Sequence, residues 1–173
     1  MEKKSYTISV YSENNLGLLN RISTIFVKRH INIESLTVSA SEIENVSRFI
    51  LVVQMTEDAV KKIIGQLEKQ VEVIQAYYHT EDEIIFTETA MFKFKSELLF
   101  KNPNIQNIIK EHNMNIVTVN RTFFVLEKAG RRHEIDLIYN ALKPFGISQF
   151  VRSGRVAISK EAMNIRKILG EIV

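Results

Sequence analysis

Apolar residues in this chain switch between a period of two and a helical period in one fixed order, and then run through that order a second time. In the first half, Tyr6, Ile8 and Val10 alternate with Thr7, Ser9 and Tyr11, the pattern of a half-buried strand from Tyr6 to Ser12. A helix from about Leu16 to Arg29 follows, with Leu18, Leu19, Ile22, Ile25 and Phe26 on its buried face. Ile31 to Ala40 reads as a strand, Ser41 to Asn45 as a polar turn, and Ser47 to Met55 as a strand with Phe49, Leu51, Val53 and Met55 on one side. Thr56 caps a second helix, with Glu57 and Asp58 in its first turn and Val60, Ile63, Ile64 and Leu67 as its stripe. Val71 to His79 closes the series as a fourth strand.

The second half repeats it. Ile84 to Lys95 is strand-like, Ser96 to Asn104 is irregular, and Asn102-Pro103 starts a helix with Ile105, Ile108 and Ile109 buried. Asn115 to Val119 and Phe123 to Glu127 are strands joined at Asn120-Arg121. Gly130 precedes a helix with the stripe Ile135, Ile138, Tyr139 and Leu142, ended by Pro144-Phe145-Gly146; Ile147 to Arg152 and Arg155 to Ser159 are extended. The order β-α-β-β-α-β leaves few topologies. Two right-handed split βαβ units interlock into a four-stranded antiparallel sheet with both helices on one face. The chain is therefore expected to be α+β, with two tandem ferredoxin-like (βαββαβ) domains, 1–80 and 81–160. The boundary falls at Thr80 to Glu83, with no Gly/Ser-rich linker. The tail 161–173 carries Ile165, Ile168, Leu169 and Ile172 at helical spacing and has two possible fates, packing on its own domain or meeting a partner.

Composition narrows the function. A length of 173 residues suits two small domains, and 45% hydrophobic with 25% charged residues is ordinary for a globular chain. Without cysteine there are no disulfides or thiolate metal sites. A net charge of +3, from 23 basic and 20 acidic residues, is too balanced to argue for nucleic acid, and no aromatic stacking motif accompanies it. Met1 to Ser5 leads straight into a strand pattern, and no apolar run approaches the ~20 residues of a membrane helix. A cytoplasmic protein with no membrane partner is expected.

The machinery of catalysis is not visible. His30, His79, His112 and His133 stand far apart, none at ligand spacing, and no metal is expected. Glu34, Glu42 and Glu44 form no evident carboxylate pair, and nucleophile-elbow, phosphate-loop and dinucleotide patterns are missing. Arg131-Arg132 and Arg152/Arg155 are either an anion clamp or solvated and interfacial residues. The loop Asn14-Asn15-Leu16-Gly17 is different in kind. Asn14 and Asn15 are candidate helix caps, and Gly17 lets something approach the backbone. Free amides and the helix dipole suit a carboxylate there. Such a loop binds without chemistry, or is simply a capped turn.

Asn14 to Arg21, followed by Ile31-Asn32-Ile33-Glu34-Ser35-Leu36-Thr37-Val38, resembles the ACT domain of the small regulatory subunits of acetolactate synthase (acetohydroxyacid synthase). Glu88 and Lys93, Ile135-Asp136, Pro144 to Ile147 and Arg152 to Ala157 resemble that family's second domain, so the likeness covers about residues 4–160. The resemblance implies a non-catalytic subunit that activates a thiamine-diphosphate catalytic subunit and confers feedback inhibition by valine or another branched-chain amino acid. It implies no cofactor in this chain; thiamine diphosphate, Mg and FAD belong to the catalytic partner. It also implies a homodimer through ACT domains paired edge to edge, with the effector at their interface. Carried over residue by residue, the effector carboxylate meets the amides around Leu16, Gly17 and Leu18, with Asn14 capping or contacting it, Asn15 beside it in the loop, and Asn32 facing the effector from the paired subunit or binding its polar end. Leu18 and Ile33 line the apolar pocket, and Leu19 is core. The alternative is a free-standing ACT-domain amino-acid sensor acting on another protein.

Overall fold

The computed structural model describes residues 2–170. Its contacts divide into two compact units, residues 1–86 with 155 onward, and residues 87–154.

In the first unit β1 (Lys4–Glu13), β2 (Ile33–Ala40), β3 (Val46–Met55) and β4 (Val73–Thr80) form one sheet in the order β2-β3-β1-β4. Every neighbouring pair is antiparallel, with Ile8 opposite both Leu51 and Tyr78. Helices α1 (Leu18–Val27) and α2 (Glu57–Leu67) supply Leu18, Ile22, Phe26, Val60, Ile63 and Leu67 to a core shared with Ile8, Val10, Leu51 and Val53. α2 starts as its sequence predicts: Thr56 Oγ1 accepts from the Ala59 amide at 3.4 Å, and Glu57 and Asp58 occupy the first turn. α1 has no side-chain cap. Forgoing a cap costs ~1 kcal/mol, whereas each buried Leu, Ile or Phe contributes ~1.5–3 kcal/mol, so Leu18, Ile22 and Phe26 decide that the helix forms.

The second unit repeats the arrangement. β5 (Ile84–Lys95, of which 87–95 lie here), β6 (Asn115–Val119), β7 (Phe123–Gly130) and β8 (Gln149–Arg152) follow the order β6-β7-β5-β8. The stretch 96–104, irregular in sequence, contains the short α3 (Ser96–Lys101) before α4 (Pro103–Glu111), whose start is capped by Asn102 Oδ1 accepting from the Asn104 amide at 3.0 Å. The β6–β7 turn is closed by Asn120 Oδ1, which accepts from the amides of Thr122 and Phe123 at 2.9 Å. α5 (Arg132–Leu142) lays Ile135, Ile138 and Leu142 against Phe92, Phe94, Phe124 and Leu126.

The domain limits read from the sequence, 1–80 and 81–160, differ from these units. Residues 81–86 and the extended segment from Arg155 lie with the first unit. β9 (Val156–Ser159) pairs with β5, whose first three residues belong to this unit, and the Lys160 amide donates to the Glu83 carbonyl at 2.9 Å. The tail becomes α6 (Ile165–Gly170). Leu169 is buried with Tyr11 and Val46, and Ile165 and Ile168 pack beside them; Ile172 lies outside the described residues. Of the two fates open to the tail, it takes packing within its own chain, but on the first sheet and not on the second domain.

This return has a local consequence. A sheet with helices on one side leaves its other face wet, yet β1 is buried on both faces from Thr7 to Ser12. Tyr11 is 2% exposed, and burial pushes its phenol above the ordinary value of 10.0, against the opposing pull of Arg48. Folding thus favours the neutral phenol. Its contribution is complete below about pH 10 and is lost as pH rises, because the unfolded chain ionises first. In an alkaline urea series the wild type is expected to lose stability above about pH 10 more steeply than Tyr11→Phe. Equal slopes would count against this origin.

Candidate functional site

The loop before α1 is shaped by backbone bonds that continue the sheet. The Glu13 amide donates to Glu72 O at 2.9 Å and the Asn14 amide to Asn45 O at 3.0 Å. These bonds carry β1 on to Glu13, so neither asparagine caps the helix, contrary to expectation. Asn15 turns back instead, donating its side-chain amide to Glu13 Oε2 at 2.9 Å. The cap position falls to Gly17, at φ 82° and ψ −5°, a left-handed conformation that glycine adopts without strain. A Cβ added at Gly17 would meet nothing within 4 Å, so the space in front of it is open.

The first intrahelical bond of this turn is that of the Arg21 amide to Gly17 O, at 3.2 Å. The amides of Leu18, Leu19 and Asn20 precede it, and no side chain caps them. Three donors at the positive end of a ten-residue helix, fronted by a bare glycine, suit an anion of carboxylate size. The chemistry this permits is binding; no proton-transfer pair stands beside it. Arg21 is turned aside to an ion pair with Glu72.

The remaining expected residues separate. Leu16 is fully exposed at the loop tip, an apolar side chain with no cover. Leu18 is 2% exposed and belongs to the core, while Leu19, expected in the core, is 46% exposed. The two exchange roles, so it is Leu19 that borders the loop. Ile33 packs against the core from β2. Asn32 is exposed in a groove with Arg29, His30, Gln54 and Thr56, whereas Asn14 and Asn15 line a different groove with Glu44, Asn45 and Val73. The Gly17 loop and Asn32 sit at opposite ends of α1, about 15 Å apart along its axis. Within one chain they do not meet.

Arg131 and Arg132 are exposed, whereas Arg152 and Arg155 are neither a free clamp nor solvated. Arg152 forms ion pairs with Asp136 and, at 3.9 Å, with the buried Glu88. Arg155, 3% exposed, donates to Thr7 Oγ1 and Glu81 Oε1 at 2.9 Å each, and its guanidinium lies 3.8 Å from the centre of the Phe86 ring. Its amide donates to Ser35 Oγ at 3.1 Å, which gives a structural role to the serine of the Asn32 to Val38 string. The polar set on the covered sheet face, Tyr11 with Arg48, is not legible from sequence alone. The signal for it is one large aromatic at Tyr11 on the strand face expected to be wet. Among the described residues no group of three His, Cys, Asp or Glu is placed to hold a metal ion, and no helix is long and apolar enough to cross a membrane.

Residues 8–75 match the family model of the AHAS small subunit-like ACT domain, and residues 87–161 that of the small subunit of acetolactate synthase. The acetolactate synthase small subunit of Bacillus subtilis is 35% identical over 159 residues, 91% of this chain and 91% of its own. The probable acetolactate synthase small subunit of Archaeoglobus fulgidus is 31% identical over 88% of this chain and 95% of its own. The crystal structure of the acetolactate synthase small subunit from Thermotoga maritima shares the fold, with a TM-score of 0.82 over 92% of this chain and 99% of that one at 23% identity. With successive family models along its length and relatives matched nearly end to end, this chain belongs to the acetolactate synthase small-subunit family, its first sheet with α1 and α2 being the ACT domain.

Proposed function

We propose that the chain acts without catalysis of its own, binding the thiamine-diphosphate catalytic subunit of acetolactate synthase, raising its activity and making it sensitive to valine or a related branched-chain amino acid. Thiamine diphosphate, Mg and FAD belong to that partner. The observation that carries the effector reading is the uncapped start of α1 behind Gly17, which offers three amides to a carboxylate.

Dimerisation completes the site in this reading. β2 is an edge strand of its sheet. Its last residue, Ala40, pairs with Ser47, beside the end of β1 where Glu13 meets Val46 and the Gly17 loop begins. Two copies joined antiparallel through β2 set the Ile33 end of one strand against the Ala40 end of the other. Asn32 of the second copy then approaches the Gly17 loop of the first, which a single chain cannot arrange. Leu19 and the exposed Leu16 supply apolar surface for the effector side chain.

Feedback is linkage. The effector favours one arrangement of the ACT pair and the catalytic subunit another, and a coupling of ~1–3 kcal/mol gives strong but incomplete inhibition. The test is calorimetric titration of the protein with L-valine, alone and with the catalytic subunit. Saturable binding, weakened when the catalytic subunit is present and lost in Asn32→Ala, is expected. Identical binding in wild type and Asn32→Ala would overturn the shared site. Failure to co-purify with the large subunit would favour a free-standing sensor.

A further inference from the structure

The covered face of the first sheet is polar where a covered face is ordinarily apolar. β1 presents Thr7, Ser9 and Tyr11; β4 sets His79 opposite Thr7 and Tyr77 opposite Ser9; β3 sets Arg48 opposite Tyr11. Thr7 and Ser9 are 1% and 7% exposed. The Thr7 hydroxyl accepts from Arg155, and Ser9 lines the space above the sheet. Above them the returning segment does not close down. It leaves a cavity of about 270 Å³, walled on the segment's side by Ala157, Met163 and Ile165.

Arg48 is the informative group in that wall. Its Nη2 donates to the Ala157 carbonyl at 2.5 Å, and its guanidinium stands over the Tyr11 ring, 5.5 Å from the centroid. Its Nε is closed off from solvent and has no hydrogen-bond partner. Both of these contacts are with neutral groups. A guanidinium that lines a cavity and whose contacts are with neutral groups is matched best by a carboxylate, which accepts from the fork. Ile84, Met163 and Ile165 provide an apolar wall, and Glu42 and Glu161 border the same cavity. The lining therefore suits a small molecule with one carboxylate and a short aliphatic body, and the two glutamates tolerate an ammonium beside it.

We propose that this cavity is a second small-molecule site, on the sheet face opposite α1 and α2, that binds a small aliphatic carboxylate, an α-amino acid or the corresponding 2-oxoacid, with Arg48 holding the carboxylate. Because the sheet and the returning segment each form one wall, the occupant ties them together.

The probes are L-leucine and 4-methyl-2-oxopentanoate, which share a skeleton and differ only in the amino or oxo group. They are titrated into the full-length chain carrying Gly17→Asp, which weakens the helix-start site, and are read at Met163 in the cavity wall, so the outcome does not depend on the effector reading above. The readout is the methyl resonance of Met163 in protein labelled at its methionine methyls. Saturable movement of that resonance with one or both probes is expected, and the responding probe assigns the amino or the oxo form. Arg48→Gln, whose amide can still donate to Ala157, is expected to weaken the response by roughly tenfold or more, the loss of a charged hydrogen bond. Ser9→Val, which fills the floor of the cavity, is expected to abolish it. No movement with either probe, or movement that survives Ser9→Val and Arg48→Gln, overturns the proposal. If Arg48→Gln does not fold, Ser9→Val decides alone.

Discussion

Gly17→Asp is expected to leave the catalytic subunit activated but to release it from valine. Two effects act at this position. The left-handed φ of 82° costs an L-residue about 1–2 kcal/mol, and Asp is among the side chains that tolerate it best, so the fold survives. The space in front of Gly17 is empty in the free chain, so the new carboxylate enters the place where the effector's carboxylate would lie. Two like charges about 4 Å apart near a protein surface repel by ~4 kcal/mol, and discounting for solvent and salt still leaves ~2 kcal/mol, roughly a thirtyfold loss of affinity. Gly17→Ala carries the same backbone strain without the charge and should lose much less. Inhibition curves of the two reconstituted complexes make the measurement. If both complexes respond to valine as the wild type does, the effector does not bind at this helix start.

Arg155→Ala is expected to cost about 3 kcal/mol of stability. The reason lies in what is left behind. Thr7, 1% exposed, loses its donor in the middle of the sheet, and the Phe86 ring loses the cation stacked on it, whereas the backbone amide bond to Ser35 is kept. Glu81, whose side chain is 50% exposed, is the one partner that water can rescue. Glu81→Gln should therefore cost less than ~1 kcal/mol, as exposed pairs do. The comparison is a pair of urea curves read for their midpoints. Equal shifts would mean that the ion pair, and not the buried network around Thr7, holds the returning segment.

The succession of elements was legible because period is a local property. Tyr6, Ile8 and Val10 specify a strand whatever lies elsewhere, and Val60, Ile63 and Leu67 specify a helix face. The start of α1 was misjudged because the bonds that decide it are not local. The amides of Glu13 and Asn14 reach Glu72 and Asn45, which lengthens β1 and leaves the asparagines outside the helix. The exchange of Leu18 and Leu19 did have a local signal. Leu18 has Ile22 and Phe26 at successive four-residue steps, whereas Leu19 has the polar Ser23 four residues on. The glycine at the start of α1 was legible in the sequence, and the amides behind it carry the proposed anion site. What is missing from a single chain is the second half of such a site, since Asn32 lies at the far end of the same helix. The division at residue 155 had no sign in composition, because the contact that defines it, Arg155 with Thr7, spans 148 positions.

That span bears on synthesis. The strands and helices of the ACT domain are made well before the segment that covers its sheet. A chain emerging from the ribosome has all four strands and both helices of its first sheet by residue 80, yet Tyr11 and Val46 still await Leu169. Until then they lie bare on one side of the sheet. Contacts so distant in sequence form late, since the loop between them must first be closed at an entropic cost that grows with its length. The nascent protein thus carries an adhesive face until the returning segment has been made, and a product that stops before residue 155 never buries it.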